Sequence, residues 1–413
     1  MTGRFLRSVI SASVFAVALL ILTASSWAAN AEKVIYSFTT TSNGSYPGSK
    51  LLFASGRLYG TTQQGGTGSC FNSNGCGVVF ALSRNSSGAW TYHKLYAFQD
   101  GEDAQSPVGD LVLDAAGNLY GATEFGGANG FGAVYKLSPG ASGKWTESVI
   151  HSFGNTPDGS YPTAGLTIDA AGNLYGTTSQ GGTANWGTVY KLTPNSDGSW
   201  SESVLHNFAG SPDGIGPAAS VIFDAAGNLY GTTQVGGSDN TYGKGVVFEL
   251  SPSSGGAWSE SILYTFPNFS IGYPVAPVYM DAAGNLYGSG KSDGDEGSAY
   301  ELIPSSGGSW TESTLFAFHG GYLGGAPLGG LVPGANGSLY GTTLYGGESR
   351  GVIYELTPGV NGTWTESVAH VFGAGTDGQY CEAGLTAGKA GTFYGTTANG
   401  GVKNWGTVFE FIP

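Results

Sequence analysis

Three histidines (His151, His206, His370) and a recurring glutamate in "W-[TS]-E-S" (Glu147, Glu202, Glu260, Glu312, Glu366) are residue types from which metal and acid–base sites are built. Imidazoles hold zinc when they converge on one point. The segment "SDGDEG" places Asp293, Asp295 and Glu296 together, hard oxygen ligands of the kind that hold Ca2+. The remaining ligands of a full calcium loop are missing, so a solvated acidic turn is the stronger reading and calcium the weaker one. Lys50, Asp110 and Glu382 offer a base and two acids, and Phe131, Trp186 and Trp405 offer flat faces for stacking. There is no H-E-x-x-H and no nucleophile elbow backed by a helix. Gly-rich runs such as "GTTSQGG" lie between strands, so no helix N-terminus is present to hold phosphate.

The elements that would position these residues follow from a repeat. Tyr59, Tyr120, Tyr175, Tyr230, Tyr287, Tyr340 and Tyr394 all stand in copies of "LYGTT", at a period of roughly 55 residues. One copy, from Tyr161, contains four alternating runs: "AGLTID", "NLYGTT", "GTVYKLTP" and "WSESVLHNF". Each has strand length, and Gly, Pro, Asn and Asp separate them. Each unit is therefore a four-stranded antiparallel meander. "DAAGNLYG", beginning at Asp114, Asp169, Asp224 and Asp281, joins its first two strands. Other copies keep only a Gly there ("ASGR", "GANGS", "GKAGT"), so the motif reads as a tight turn rather than a catalytic element.

The chain ends decide how the units stack. "KVIYSF" (Lys33–Phe38) matches a fourth strand, and "GTVFEFIP" (Gly406–Pro413) matches a third. That offset closes a ring, so the expectation is an all-β, seven-bladed β-propeller locked by the N-terminal strand. Trp90, Trp145, Trp200, Trp258, Trp310 and Trp364 mark six outer strands, and the seventh would fall at Asn30.

This frame sorts the candidates. The three histidines share one outer-strand position with Tyr36, Tyr96, Tyr264 and Phe316, and they fall in separate blades. They read as packing, too far apart to share a metal. The glutamates of "W-[TS]-E-S" read as charges that keep an exposed sheet edge from pairing. The innermost strands begin at Pro47, Pro107, Pro162, Pro217, Pro274 and Pro327, with Cys381 in the seventh blade. At the two channel-facing positions that follow, the only charges are Lys50, Asp110 and Glu382, from three neighbouring blades. A binding or catalytic group is one reading, and an ion pair that helps close the ring is the other. The residue before the third strand also varies: Cys76, Phe131, Trp186, Lys244, Glu296, Arg350 and Trp405. Phe131, Trp186 and Trp405 there could stack on sugar rings or merely cover a blade edge.

Residues 1–31 read as a secretory signal peptide. Arg4 and Arg7 precede an apolar run from Val9 to Leu22, followed by cleavage sites at Ala29-Asn30-Ala31 or Ser26-Trp27-Ala28. The propeller then occupies 32–413, and no second apolar segment suggests a membrane span. In an exported chain, Cys70 and Cys76 of "CFNSNGC" are expected to pair, leaving Cys381 over unless it takes one of them. The net charge is -14, which argues against a nucleic-acid partner. Charged residues are only 11% of the chain, whereas Gly numbers 73 and aromatics reach 13%, as suits short strands and tight turns.

The pattern "D-x-x-G-N-L-Y-G-T-T-x-x-G-G…G-T-V-Y-x-L", followed by "W-T-E-S-V-L-x-x-F", resembles the GloVer tandem repeat of exported bacterial choice-of-anchor proteins. The resemblance covers residues 33–413 and implies an exported or cell-surface protein. It carries over no catalytic residue. The chain stops at Pro413 on a repeat strand without a sorting tail, so covalent anchoring is not expected.

The leading expectation is a non-enzymatic exported protein whose loop-bearing face binds a polysaccharide or another envelope component. Phe131, Trp186, Trp405, Glu382, Lys50 and Asp110 are its candidate contacts. The alternatives are an extracellular carbohydrate hydrolase or lyase, with Glu382 as acid or base assisted by Asp110 or Lys50, and a matrix-assembly module. No cofactor is expected beyond the weak calcium candidate.

Overall fold

The computed structural model describes residues 30–413 apart from 71–73, 100, 155, 238–242, 268–272, 293, 295 and 374. The leader segment and two of the three acidic residues of "SDGDEG" thus lie outside the described residues. Seven antiparallel blades follow one another around a ring. Blade 3 shows the unit: an inner strand Thr167–Ile168, a second Leu174–Thr178, a third Thr188–Pro194 and an outer Trp200–Asn207. The other blades keep that order, and blade 2 has the longest inner strand, Ala104–Leu113.

Closure is as the sequence offset requires. The strand Ala31–Ser37 pairs antiparallel with Thr407–Ile412, from Ala31 opposite Ile412 to Ser37 opposite Thr407. Asn30 is one step further out, where the other blades carry Trp. Those tryptophans reach back onto the "LYG" tyrosine of the preceding blade. Trp200 meets Tyr120 at 5.8 Å, Trp364 meets Tyr287 at 6.4 Å, and Trp90 meets Tyr394 at 5.8 Å. Blade 7 lacks this ring and substitutes two others: Tyr340 packs on Phe393 at 5.0 Å and Phe411 at 6.0 Å, where other blades have Leu.

Each junction is filled by one phenylalanine just past the outer strand. Phe38, Phe98, Phe153, Phe208, Phe266, Phe318 and Phe372 are all fully or almost fully buried. The first Thr of "GTT" ties neighbouring blades together. Thr342 Oγ1 donates to the Ala383 carbonyl (2.9 Å), and Thr396 Oγ1 donates to that of Ser49 (3.0 Å) across the seam between blades 7 and 1. "DAAGN" is indeed a turn. Asp114 Oδ1 accepts the N–H groups of Ala116 (2.9 Å) and Asn118 (2.8 Å), while Oδ2 accepts from Asn118 Nδ2 and Tyr120 Oη. The Asp169, Asp224 and Asp281 turns repeat the pattern.

Candidate functional site

The inner strands enclose a central cavity of about 510 Å3. Its walls run from Gly48 and Glu382, at the end that carries the connections between blades, to Tyr279 and Met280 at the other. Lys50, Asp110 and Glu382 all line it, with Gln63 beside them. A Cβ built on Gly48 would lie 3.0 Å from Glu382 Oε2 and 3.6 Å from Gln63 Nε2, so the Glu382 carboxyl crosses the seam onto blade 1. Opposite stand small and apolar residues, among them Ala218, Val275 and Leu328. Three neighbouring blades therefore supply one polar wall.

Burial raises both carboxyls of that wall. Burial pushes the Glu382 carboxyl above its usual range, and no neighbouring charge counters it. Burial also raises Asp110, although the Lys50 charge and backbone N–H pull the other way. Asp110 is half-buried and lines the cavity. Among the described residues, ion pairs join Arg84 to Glu410 and three histidines to carboxylates, and none joins Lys50 to Asp110 or Glu382. The closure ion pair considered for this wall is thus not formed as a direct contact.

The residue before each third strand meets the residue before the next blade's Pro. The carbonyls of Phe131, Trp186, Arg350 and Trp405 accept the N–H groups of Tyr161, Gly216, Tyr380 and Tyr46 at 2.8–3.3 Å. Tyr46, Tyr161 and Tyr380 adopt left-handed backbone angles (φ 60, 54 and 61°), uncommon for bulky side chains. Trp186 and Tyr46 are 39% and 37% exposed. Phe131 is half-buried against Tyr161 (5.8 Å), and Trp405 is half-buried against the core around Phe38 and Leu51. Of the three aromatics singled out from sequence, Trp186 presents the most open face. The tyrosines ahead of the prolines were missed; their repetition at Tyr46, Tyr161, Tyr273 and Tyr380 was the available sign. Glu296 is exposed on its loop, separate from the cavity wall.

Two readings of the outer strands need correction. The "W-[TS]-E-S" glutamates do not guard an exposed edge. They turn inward between blades, where the Glu260 side chain is only 15% exposed, and Glu32, at the same position of the N-terminal strand, only 8%. The three histidines do pack on phenylalanine, as His151 does on Phe153 at 4.7 Å, but each also faces two carboxylates of its own. His206 Nε2 lies 3.3 Å from Asp213 Oδ2 and 3.8 Å from Glu260 Oε2. His370 Nε2 lies 3.5 Å from Asp377 Oδ2 and 3.9 Å from Glu32 Oε2, and His151 with Asp158 and Glu202 forms the third cluster. The aspartates were also missed, although each follows its histidine by the same interval, as Asp103 follows Tyr96.

These inward carboxyls have a consequence for pH. Burial pushes Glu366 up to about 7 from an ordinary 4.5. The folded chain therefore holds this proton more tightly than the unfolded chain. The associated stability is complete below about pH 4.5 and fades as pH rises toward 7. Glu366→Gln copies the protonated shape and cannot ionise. It should raise the urea midpoint at about pH 8 and leave it nearly unchanged near pH 4.5. An equal shift at both would show that Glu366 is not a proton-holding group.

Cys70 and Cys76 form a disulfide. Cys381 is a free, buried thiol whose Sγ lies 3.3 Å from the Thr396 carbonyl, and burial raises its pKa well above the usual value. Among the described residues, no helix is long and apolar enough to cross a membrane.

No curated protein matches the chain. The sequence model for the Gloeobacter/Verrucomicrobia repeat matches residues 22–167 and again 141–321, the second span overlapping the first. Those two matches together take in residues 22–321, more than half of the chain. The chain belongs to the Gloeobacter/Verrucomicrobia repeat family.

Proposed function

We propose that this repeat protein acts outside the cytoplasm and binds a polysaccharide or a related envelope component through its loop-bearing face. The observation that carries the reading is the one-sided polar wall, where Glu382, Gln63, Lys50 and Asp110 line the same cavity. Hydroxyl-rich ligands need such donors and acceptors in one place, with an aromatic face nearby to cover the sugar ring. Trp186 and Tyr46 supply exposed aromatic surface on that side. The disulfide at Cys70–Cys76 and the leader-like N-terminus support export.

A broad glycan array, probed with the purified protein with and without calcium, tests this. Lys50→Ala should weaken a reproducible hit by roughly 10- to 100-fold, as loss of a charged hydrogen bond does, and Glu382→Gln, which keeps the shape and a hydrogen-bonding amide, far less. Trp186→Ala should weaken the same hit, whereas Trp405→Ala should act mainly by loosening the blade edge. An array without hits removes this ligand class. Glu382 and Asp110 also favour an acid–base reading, because both carboxyls are pushed up. Turnover of a bound glycan that Glu382→Gln abolishes while leaving binding largely intact would establish that hydrolase or lyase reading.

A further inference from the structure

We propose that the cluster of His370, Asp377 and Glu32, with its copies His151–Asp158–Glu202 and His206–Asp213–Glu260, binds divalent cations of the zinc type, one at each of three blade junctions. In each cluster one ligand atom from each residue lies within 4.8 Å of the others. The measured separations from Nε2 to carboxylate oxygen are 3.3–3.9 Å. Zinc bonds of about 2.0–2.2 Å set tetrahedral ligands roughly 3.3–3.6 Å apart, so a small inward movement would seat an ion. One imidazole and two carboxylates suit zinc and its neighbours better than calcium, which prefers oxygen alone.

The cluster between blades 6 and 7 carries a second sign. Glu32 is only 8% exposed, yet its Oε1 has no hydrogen-bond partner, and neither has Nε2 of His370. The other oxygen, Oε2, lies 3.9 Å from that ring nitrogen, and a buried carboxylate beside a buried, unsatisfied imidazole is costly unless something joins them. The third ligand is already oriented: Asp377 accepts the N–H groups of Gly373 and Gly378, both at 2.7 Å. Such outer hydrogen bonds fix a carboxylate for coordination. Asp158 and Asp213 are held in the same way.

The junction between blades 1 and 2 is an internal comparison. There Tyr96 replaces histidine, and its hydroxyl donates directly to Asp103 at 3.0 Å. There the aspartate is satisfied by the tyrosine without a metal, although Glu147 Oε1 at the same junction has no hydrogen-bond partner. The three histidine junctions are the ones built otherwise. Between blades 6 and 7, an ion would tie Glu32 of the N-terminal strand to blade 6 and its exit loop, holding the closing strand in place.

The test is titration of the chelator-stripped full-length protein with Zn2+, with Ca2+ in parallel and Co2+ as a visible-absorbing substitute. About three Zn2+ per chain are expected, bound at least 100-fold more tightly than Ca2+. Each of His151→Tyr, His206→Tyr and His370→Tyr should lower the stoichiometry by one. Tyr is what other blades carry at this position, so the substitutions should be tolerated. Glu32→Gln should remove only the ion between blades 6 and 7 and its contribution to the melting temperature. His93→Gln and His319→Gln, outside the clusters, should change nothing. No Zn2+ uptake, or uptake that survives the triple His→Tyr substitution, overturns the proposal.

Discussion

Deleting residues 30–38 is expected to abolish the single cooperative unfolding transition of the protein. The segment is the outer strand of blade 7, paired with Thr407–Ile412 along its length. It ends in Phe38, which is fully buried with Leu51, Phe80 and Val408, and whose N–H donates to the Gly406 carbonyl at 3.1 Å. Tyr36, two residues earlier, stacks on Tyr92 of blade 1 at 4.6 Å. Loss of the segment therefore exposes a strand edge in blade 7 and opens the core between blades 7 and 1 together. A linear array would lose only a cap, but a ring loses its closure. Phe38→Ala alone should cost about 3–5 kcal/mol, the usual price of emptying an aromatic site in a packed core. A synthetic peptide spanning residues 30–40, added in trans, should restore the transition by strand addition. A truncated chain that melts like the parent, with no response to the peptide, would show that the ring does not depend on this closure.

The ring was legible because the evidence for it is a matter of order along the chain. The "LYGTT" tyrosines recur at an even period, and the spare fourth strand at Lys33–Phe38 meets the missing one after Pro413. The inner-strand charges were legible for a related reason. Once the prolines are aligned, alternation alone says that Lys50, Asp110 and Glu382 face the channel, and they line one cavity. Alternation does not say what covers the other face of an outer strand. Glu202 and Thr167 are both alternate residues on strands, but only the neighbouring blade decides which face is dry. The glutamates therefore read as edge guards from sequence, whereas they turn inward between blades, two of them, Glu202 and Glu260, beside a histidine. That Phe131 and Trp405 are half-buried, unlike Trp186, was not legible for the same reason: the groups that cover them come from adjacent blades or distant strands.

The glycine of "LYGTT" leads to the second large effect. In blade 3, a Cβ on Gly176 would lie 2.4 Å from Tyr190 Oη and 2.6 Å from its Cζ. The equivalent glycine meets Phe80, Tyr135, Phe248, Tyr300, Tyr354 or Phe409 in the other blades, always an aromatic ring of the third strand. Backbone conformation is not the reason, because Gly176 is absent from the positive-φ glycines. The ring simply occupies the space that a side chain would need. Tyr190 is fully buried among rigid neighbours and has no easy escape. Gly176→Ala should therefore destabilise by about 1–3 kcal/mol through overpacking, and Gly176→Val by more. Combining Gly176→Ala with Tyr190→Leu should recover part of the loss, since the smaller side chain vacates the contact. Tyr190→Phe should be neutral or stabilising, because the buried hydroxyl has no partner and three blades already use Phe there. Urea midpoints for the two single variants and the pair decide it. If Gly176→Ala matched the parent, the glycine would have to be explained by folding rather than by packing in the finished blade.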